Sequence, residues 1–247
     1  MFSTIYDFCK VRNEGSIFSN RQNSPTPRVK FLMKLLDGLG IDFELDEFPV
    51  NKTSGYNLIL KGSSNKMIVA HHDVNNPNID NANDNSCSVI NAIAVKLRMP
   101  EVNVVLLDGE EFGGFGAQRA ADQIKAGEFG AISWVLNLEL TGKGGQKFFI
   151  GNYPGQLSNH IVNLFGCPIV STPFNDSVIF RRNGIDSVVI NPLPALPKGK
   201  KSDIKFKGEY LDASLLFRCH KPSDSVDKID LADMEEFVEE VVLKILS

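Results

Sequence analysis

Residues 67–73 read MIVAHHD, so that four apolar residues run straight into His71, His72 and Asp73. A short apolar run that stops at polar residues reads as a strand buried on both faces, with reactive groups placed at its end. The pattern recurs downstream. Val102–Leu107 runs into Asp108, Gly109, Glu110 and Glu111, and Ile132–Leu138 runs into Glu139. Further strand-like runs occupy residues 56–60, 148–150 and 187–190. Helical patterns lie among them, at Pro27–Leu39, Ser86–Leu97, Phe115–Lys125, Gln156–Phe165 and Leu231–Leu246. In the last, Leu231, Met234, Phe237, Val238, Val241, Val242 and Ile245 follow three- and four-residue steps, while Glu235, Glu236, Glu239 and Glu240 take the other face. Strands alternating with helices predict an α/β fold, a mostly parallel sheet covered by helices on both faces, with its chemistry beyond the carboxyl ends of the strands.

The chain has 247 residues, of which 43% are hydrophobic, enough for one domain spanning 1–247. Its formal net charge of -4 provides no global positive field for a phosphate backbone or an anionic membrane surface. Nucleic acid and membrane are therefore not expected as partners. MFSTIYDFCK at the start lacks a basic region followed by an apolar stretch, and no segment approaches the roughly 20 apolar residues of a membrane span. A soluble, cytoplasmic protein is expected. Cys9, Cys87, Cys167 and Cys219 are scattered and read as reduced, mostly buried thiols. Asn13–Pro27 and Pro192–Ser202 are rich in loop formers or charge and read as mobile loops.

On an extended backbone His71 and Asp73 project to the same side, so Asp73 can orient an imidazole that binds metal. Asp80–Asn85 (DNANDN) would pass for a hydrophilic turn, but Asp84 stands immediately before a helix, where a short carboxylate can bridge metals. A calcium loop counted from Asp80 fails, because Ala82, Asn85 and Asn91 occupy its third, sixth and twelfth positions. Glu110 and Glu111 cannot point the same way on an extended strand. One can bind metal while the other handles a proton, the division of labour a metallohydrolase needs. Gly114-x-Gly116 is followed by Arg119 where a dinucleotide loop needs a third glycine. His220 lies in a loop before the last helix, and His160, on a helix, reads as structural.

Taken in order, these fragments resemble the di-zinc aminopeptidases that include bacterial leucyl aminopeptidases, with glutamate carboxypeptidase and glutaminyl cyclase as relatives. AHHD (70–73) looks like the family's His-x-Asp, NDN (83–85) like its Asp-Asp-Asn, and DGEE (108–111) like its paired glutamates. NDSVIFRRNGID (175–186) resembles its Ser-Asp-His stretch, and HKPSDSVDKID (220–230) its His-Thr-x-x-Asp-Thr ending. The resemblance implies a three-layer sandwich with a mixed, mostly parallel sheet. It implies Zn2+ as cofactor, two ions expected and one possible: one ion on His71 and Glu139, another on Glu111 and His220, and Asp84 between them. Glu110 would be the catalytic base and Asp73 would orient His71. Three departures stand out: Glu139 replaces an Asp, Asn83 replaces the first acid of the paired aspartates, and Ser177 replaces a His.

The activity implied is exopeptidase cleavage, of the aminopeptidase type, acting on a peptide or N-acyl amino acid. Carboxypeptidases and deacylases share the motif set. A glutaminyl cyclase-like acyltransferase with one zinc is the nearest alternative, and a catalytically silent binding protein on the same fold is another. No Gly-x-Ser-x-Gly elbow, His-Glu-x-x-His helix or P-loop occurs in the chain.

Overall fold

In a computed structural model that describes residues 1–11 and 24–247, eight strands form one sheet. The chain begins with helix α1 (Ile5–Lys10) and helix α2 (Pro27–Leu39), then enters β1 (Glu44–Val50), β2 (Thr53–Leu60) and β3 (Lys66–His71). Helix α3 (Cys87–Arg98), β4 (Asn103–Leu107), helix α4 (Phe115–Lys125), β5 (Trp134–Leu138) and β6 (Phe148–Gly151) follow. Next come helix α5 (Gln156–Phe165), β7 (Ile169–Val170), helix α6 (Asp176–Arg182) and β8 (Ser187–Pro192). A small hairpin of β9 (Lys205–Phe206) and β10 (Glu209–Tyr210) stands apart from the sheet. The C-terminal helix runs from α7 (Leu231–Phe237) through a wider turn at Val238–Val242 into α8 (Leu243–Leu246). Most of the Asn13–Pro27 loop lies outside the described residues.

The spatial order is β1-β2-β4-β3-β5-β8-β6-β7. The four central strands, β4, β3, β5 and β8, are mutually parallel, while β1, β2 and β6 make antiparallel pairings. The expected mixed, mostly parallel sheet is therefore present. Its strands alternate between two apolar layers: Ile68, Ala70, Val104 and Leu106 join one, with α1, α2, α3, α5 and the C-terminal helix. Met67, Val69, Val105 and Leu107 join the other, against Ala117, Ala120 and Ala121 of α4 and Ile179 and Phe180 of α6. Burial on both faces explains why these strands read as unbroken apolar runs.

Sequence pattern missed β1, whose ELDEFPV carries three acids and Pro49. Such composition suits an edge strand, where one side needs no hydrogen-bond partners. Sequence also did not anticipate α1, α6, β7 or the β9–β10 hairpin, all of them short. No helix among the described residues is long and apolar enough to cross a membrane. All four cysteines are free, three of them buried and Cys219 half-buried.

One buried cation ties the elements behind the sheet's end together. Arg28, 1% exposed, donates from Nε to the His72 carbonyl at 2.8 Å and from Nη2 to Ser86 Oγ at 2.9 Å. Its guanidinium lies 3.9 Å from the centre of the Phe8 ring. The Arg28→Met variant keeps the bulk and strips the donors, which leaves buried acceptors at His72 and Ser86 unpaired. We expect it to lower unfolding stability by about 2–4 kcal/mol. Urea denaturation will read this as a lower midpoint at unchanged slope.

Candidate metal centre

The register of the parallel ladder sets the site. His71 pairs with Leu107 and Val69 with Asn137, so β3, β4 and β5 end level with one another. Each then releases its polar residues into the same space. His71 is the last residue of β3; Glu110 and Glu111 follow β4 after the left-handed Gly109 (φ 83); Glu139 follows β5. Asp84 comes from the turn Ala82–Ser86 that precedes α3, and His220 from a loop in a left-handed conformation (φ 62).

These five residues meet. His71 Nε2 lies 3.2 Å from Glu139 Oε1 and 3.4 Å from Asp84 Oδ1. His220 Nε2 lies 3.2 Å from Asp84 Oδ2 and 3.0 Å from Glu111 Oε2. Asp84 thus offers one oxygen to each imidazole. In each trio, His71–Asp84–Glu139 and Asp84–Glu111–His220, the ligand atoms lie within 4.8 Å of one another and could hold a metal ion. Imidazole nitrogen with carboxylate oxygen is a donor set suited to zinc.

Asp73 is fully buried, with Oδ1 3.4 Å from His71 Nδ1. Its carboxylate also accepts the backbone N–H groups of Glu110 and Glu111, each at 3.2 Å. One side chain therefore orients both the imidazole and the turn that carries the paired glutamates. Asp176, at the start of α6, is fully buried with neither oxygen hydrogen-bonded, and Glu111 Oε1 is likewise buried without a partner.

Electrostatics fit a cation. Burial, reinforced by Asp176, Glu139 and Asp73 against the opposing pull of His71, pushes the Glu110 carboxyl up to about 10. Burial and Asp84 push Glu111 up to about 8, and burial with Glu139 pushes Asp176 up to about 8. Burial also raises Glu139 against the pull of His71. Asp84 goes the other way: burial is overcome by the hydrogen bonds from His220 and His71. His71 is held well above the usual histidine range, because Glu139, Asp73 and Asp84 overcome its burial. So many buried acids side by side resist joint ionisation unless positive charge enters among them.

Some residues proved more informative than the sequence suggested. Asp224, 3% exposed, accepts the backbone N–H of Asn83 at 2.7 Å and of Asp84 at 3.1 Å. It fixes the Asp84 turn from the far end of the chain, and only the HKPSDS fragment hinted at it. Asn83 accepts the Gly142 N–H at 2.8 Å through Oδ1, a bond to the loop after Glu139. Asn85 clasps the same loop, donating to Leu138 O at 3.0 Å and accepting from Leu140 N at 3.1 Å. Ser177 is buried in α6, and its hydroxyl makes no hydrogen bond. Gly116 permits the start of α4 to press against Asp108, where a Cβ would overlap the Asp108 carbonyl oxygen. His72 is buried, its Nε2 2.8 Å from Tyr56 O, and burial lowers it to about 4. His160 is exposed and sits 3.2 Å from Ile245 O, away from the cluster.

A cavity of about 410 Å3 opens above the site. Asp84, Glu110, Glu111, Glu139 and His220 form its polar end, and Leu140, Phe149, Val170, Phe174, Val189 and Leu216 supply apolar wall. Among the described residues that line it there is no lysine or arginine.

The architecture is similar to that of several solved enzymes. The Legionella pneumophila aminopeptidase LapA superposes with a TM-score of 0.68 at 11% identity, over 100% of this chain and 71% of that one. A glutaminyl cyclase from Fimbriiglobus ruber gives 0.68 at 18% identity, over 96% and 90% of the two chains. A Zn-dependent exopeptidase from Parabacteroides distasonis gives 0.65 at 14% identity, over 99% and 96%. At such identities the likeness is one of fold. Comparison with curated protein sequences finds no match. The family model of peptidase family M28 matches residues 57–245, and the chain belongs to that family.

Removing the Asp224 carboxylate leaves two buried N–H groups unpaired. Asp224→Ala should therefore cost about 1–3 kcal/mol in unfolding free energy, and Asp224→Asn, which keeps one acceptor, less. Thermal and urea denaturation of both variants test this order.

Proposed function

We propose that the chain is a zinc-dependent aminopeptidase. The observation that carries the reading is Asp84, whose two carboxylate oxygens face two separate His–acid pairs at 3.4 and 3.2 Å. His71 and Glu139 would hold one ion, Glu111 and His220 a second, and Asp84 both. Bound there, zinc supplies a Lewis acid for the scissile carbonyl and lowers the pKa of the attacking water toward roughly 7.

The protein's own residues do the rest. Glu110 lines the cavity beside Glu111, and takes the proton from the attacking water. With cations among the acids Glu110 would be ionised and able to accept that proton, which the leaving amine then collects. Asp73 keeps both Glu110 and His71 in place through the bonds described above. A cavity whose described lining residues include no lysine or arginine does not repel a free, positively charged N-terminus. A free C-terminal carboxylate would find no lysine or arginine among the described lining residues, which argues against carboxypeptidase specificity.

Glutaminyl cyclisation is the second reading, since the Fimbriiglobus ruber cyclase shares this fold over 90% of its own length, much as the Parabacteroides distasonis exopeptidase does over 96%. A substrate panel of aminoacyl anilides, N-acyl amino acids and N-terminal Gln peptides separates the possibilities. We expect release of the N-terminal amino acid; cyclisation of Gln peptides without release would replace this reading with the other.

Metal analysis of the purified protein should find about two zinc ions per chain, and chelation should abolish turnover until zinc is restored. In Glu110→Gln, turnover should fall by about 10²–10⁴-fold while zinc content is unchanged. Near-normal turnover in that variant would remove Glu110 from its role.

A further inference from the structure

Outside the site, the strongest unexplained feature is electrostatic. Residues 198–207, KGKKSDIKFK, carry five lysines and one acid, which contributes +4 to a chain whose total is -4. The rest of the molecule therefore bears -8. All five lysines are exposed, and none has a carboxylate within ion-pair distance among the described residues. Evenly mixed surface charge would pair some of them.

The segment overlaps Pro192–Ser202, which sequence composition reads as a mobile loop, yet its part from Ser202 onward is anchored. Ile204, Phe206 and Leu211 are buried in the main core, and the Phe148 and Phe206 rings stand 5.5 Å apart. Ser202 Oγ donates to Leu211 O at 2.7 Å, and Leu196 N donates to Tyr210 O at 2.7 Å, so the arch that holds Lys198, Lys200 and Lys201 lies beside the β9–β10 hairpin. Lys205 sits 4.3 Å from the Tyr210 ring centre and Lys207 5.2 Å from that of Phe206. Like charges gathered on one exposed segment repel one another within the screening length, and an anionic partner relieves that repulsion.

The chemistry around the lysines selects among anions. Single-stranded nucleic acid needs free aromatic faces for base stacking, but Phe206 is buried and the Tyr210 ring is taken by Lys205. Stable membrane attachment needs an apolar anchor beside the basic cluster, and none of the exposed large hydrophobic residues lies between 195 and 210. Long duplexes and membrane surfaces would also meet the -8 carried by the remainder of the chain. Screening confines attraction to about 8 Å at physiological salt, which favours a partner small enough to touch the cluster alone. From these constraints we infer that the Lys198–Lys207 segment is a docking surface for an acidic polypeptide segment. The same chain runs on through Ala213–Arg218, whose Leu216 lines the cavity, so a docked acidic stretch lies on the connection that leads to the site. The surface stands independently of the peptidase reading.

The test is fluorescence anisotropy on the full chain with a labelled decapeptide of Asp and Glu, acetylated and amidated so that hydrolysis cannot consume it. Binding should weaken at least about tenfold on raising salt from roughly 20 to 200 mM. The Lys198→Glu, Lys200→Glu, Lys201→Glu triple variant should bind at least about tenfold less tightly, while the corresponding triple Arg variant binds like the parent. These exposed loop positions should leave folding and the hydrolysis of an aminoacyl anilide with an uncharged side chain unchanged. Unaltered peptide binding by the Glu variant overturns the proposal. So does tighter binding of an oligothymidylate or of phosphatidylserine vesicles than of the peptide, and so does equal binding of a Gly-Ser decapeptide.

Discussion

Everything in the site depends on the in-register parallel pairing of β4, β3 and β5. Parallel strands that start and end together place the residues after their last hydrogen bonds side by side, and here these are His71, the Glu110–Glu111 pair and Glu139. A slip of one residue would turn His71 toward the opposite face and bury an apolar neighbour in its place. The two apolar layers prevent this, because Ile68 and Ala70 belong to one and Met67 and Val69 to the other. Core packing and site geometry are thus one constraint seen from two ends.

Such an arrangement concentrates like charge on largely buried side chains, which is unfavourable in the folded protein by itself. The elevated proton affinities of Glu110, Glu111, Glu139 and Asp176, and the elevated affinity of His71, are two aspects of that crowding. Divalent cations would relieve it. The crowded arrangement is held in place by Asp73, Asp224, Asn83 and Asn85, whose hydrogen bonds go to backbone rather than to solvent.

The departures from the resembled motif acquire local reasons. Asn83 stands where a second acid is expected, and its Oδ1 accepts the Gly142 N–H, joining the Asp84 turn to the loop after Glu139. Glu139, longer than the Asp it replaces, still brings Oε1 to 3.2 Å from His71 Nε2, with Asn137 Nδ2 3.4 Å from its other oxygen. Nothing in the structure explains Ser177, whose buried hydroxyl has no partner.

The sequence by itself determined the buried strands, the five long helices and the residues at the strand ends. Those features are local, since period and the abrupt change from apolar to charged residues are written in neighbouring positions, as in MIVAHHD. Motif order supplied His220 and Asp84, which no periodicity distinguishes. Only the tertiary structure decided that His71 meets Glu139 across 68 positions, that Asp224 caps the Asp84 turn from 140 positions away, and that β2 and β6 run antiparallel to the central strands. Those outcomes follow from which surfaces pack together. A short edge strand such as ELDEFPV, or a lone buried aspartate, carries no signal until its partners are in place.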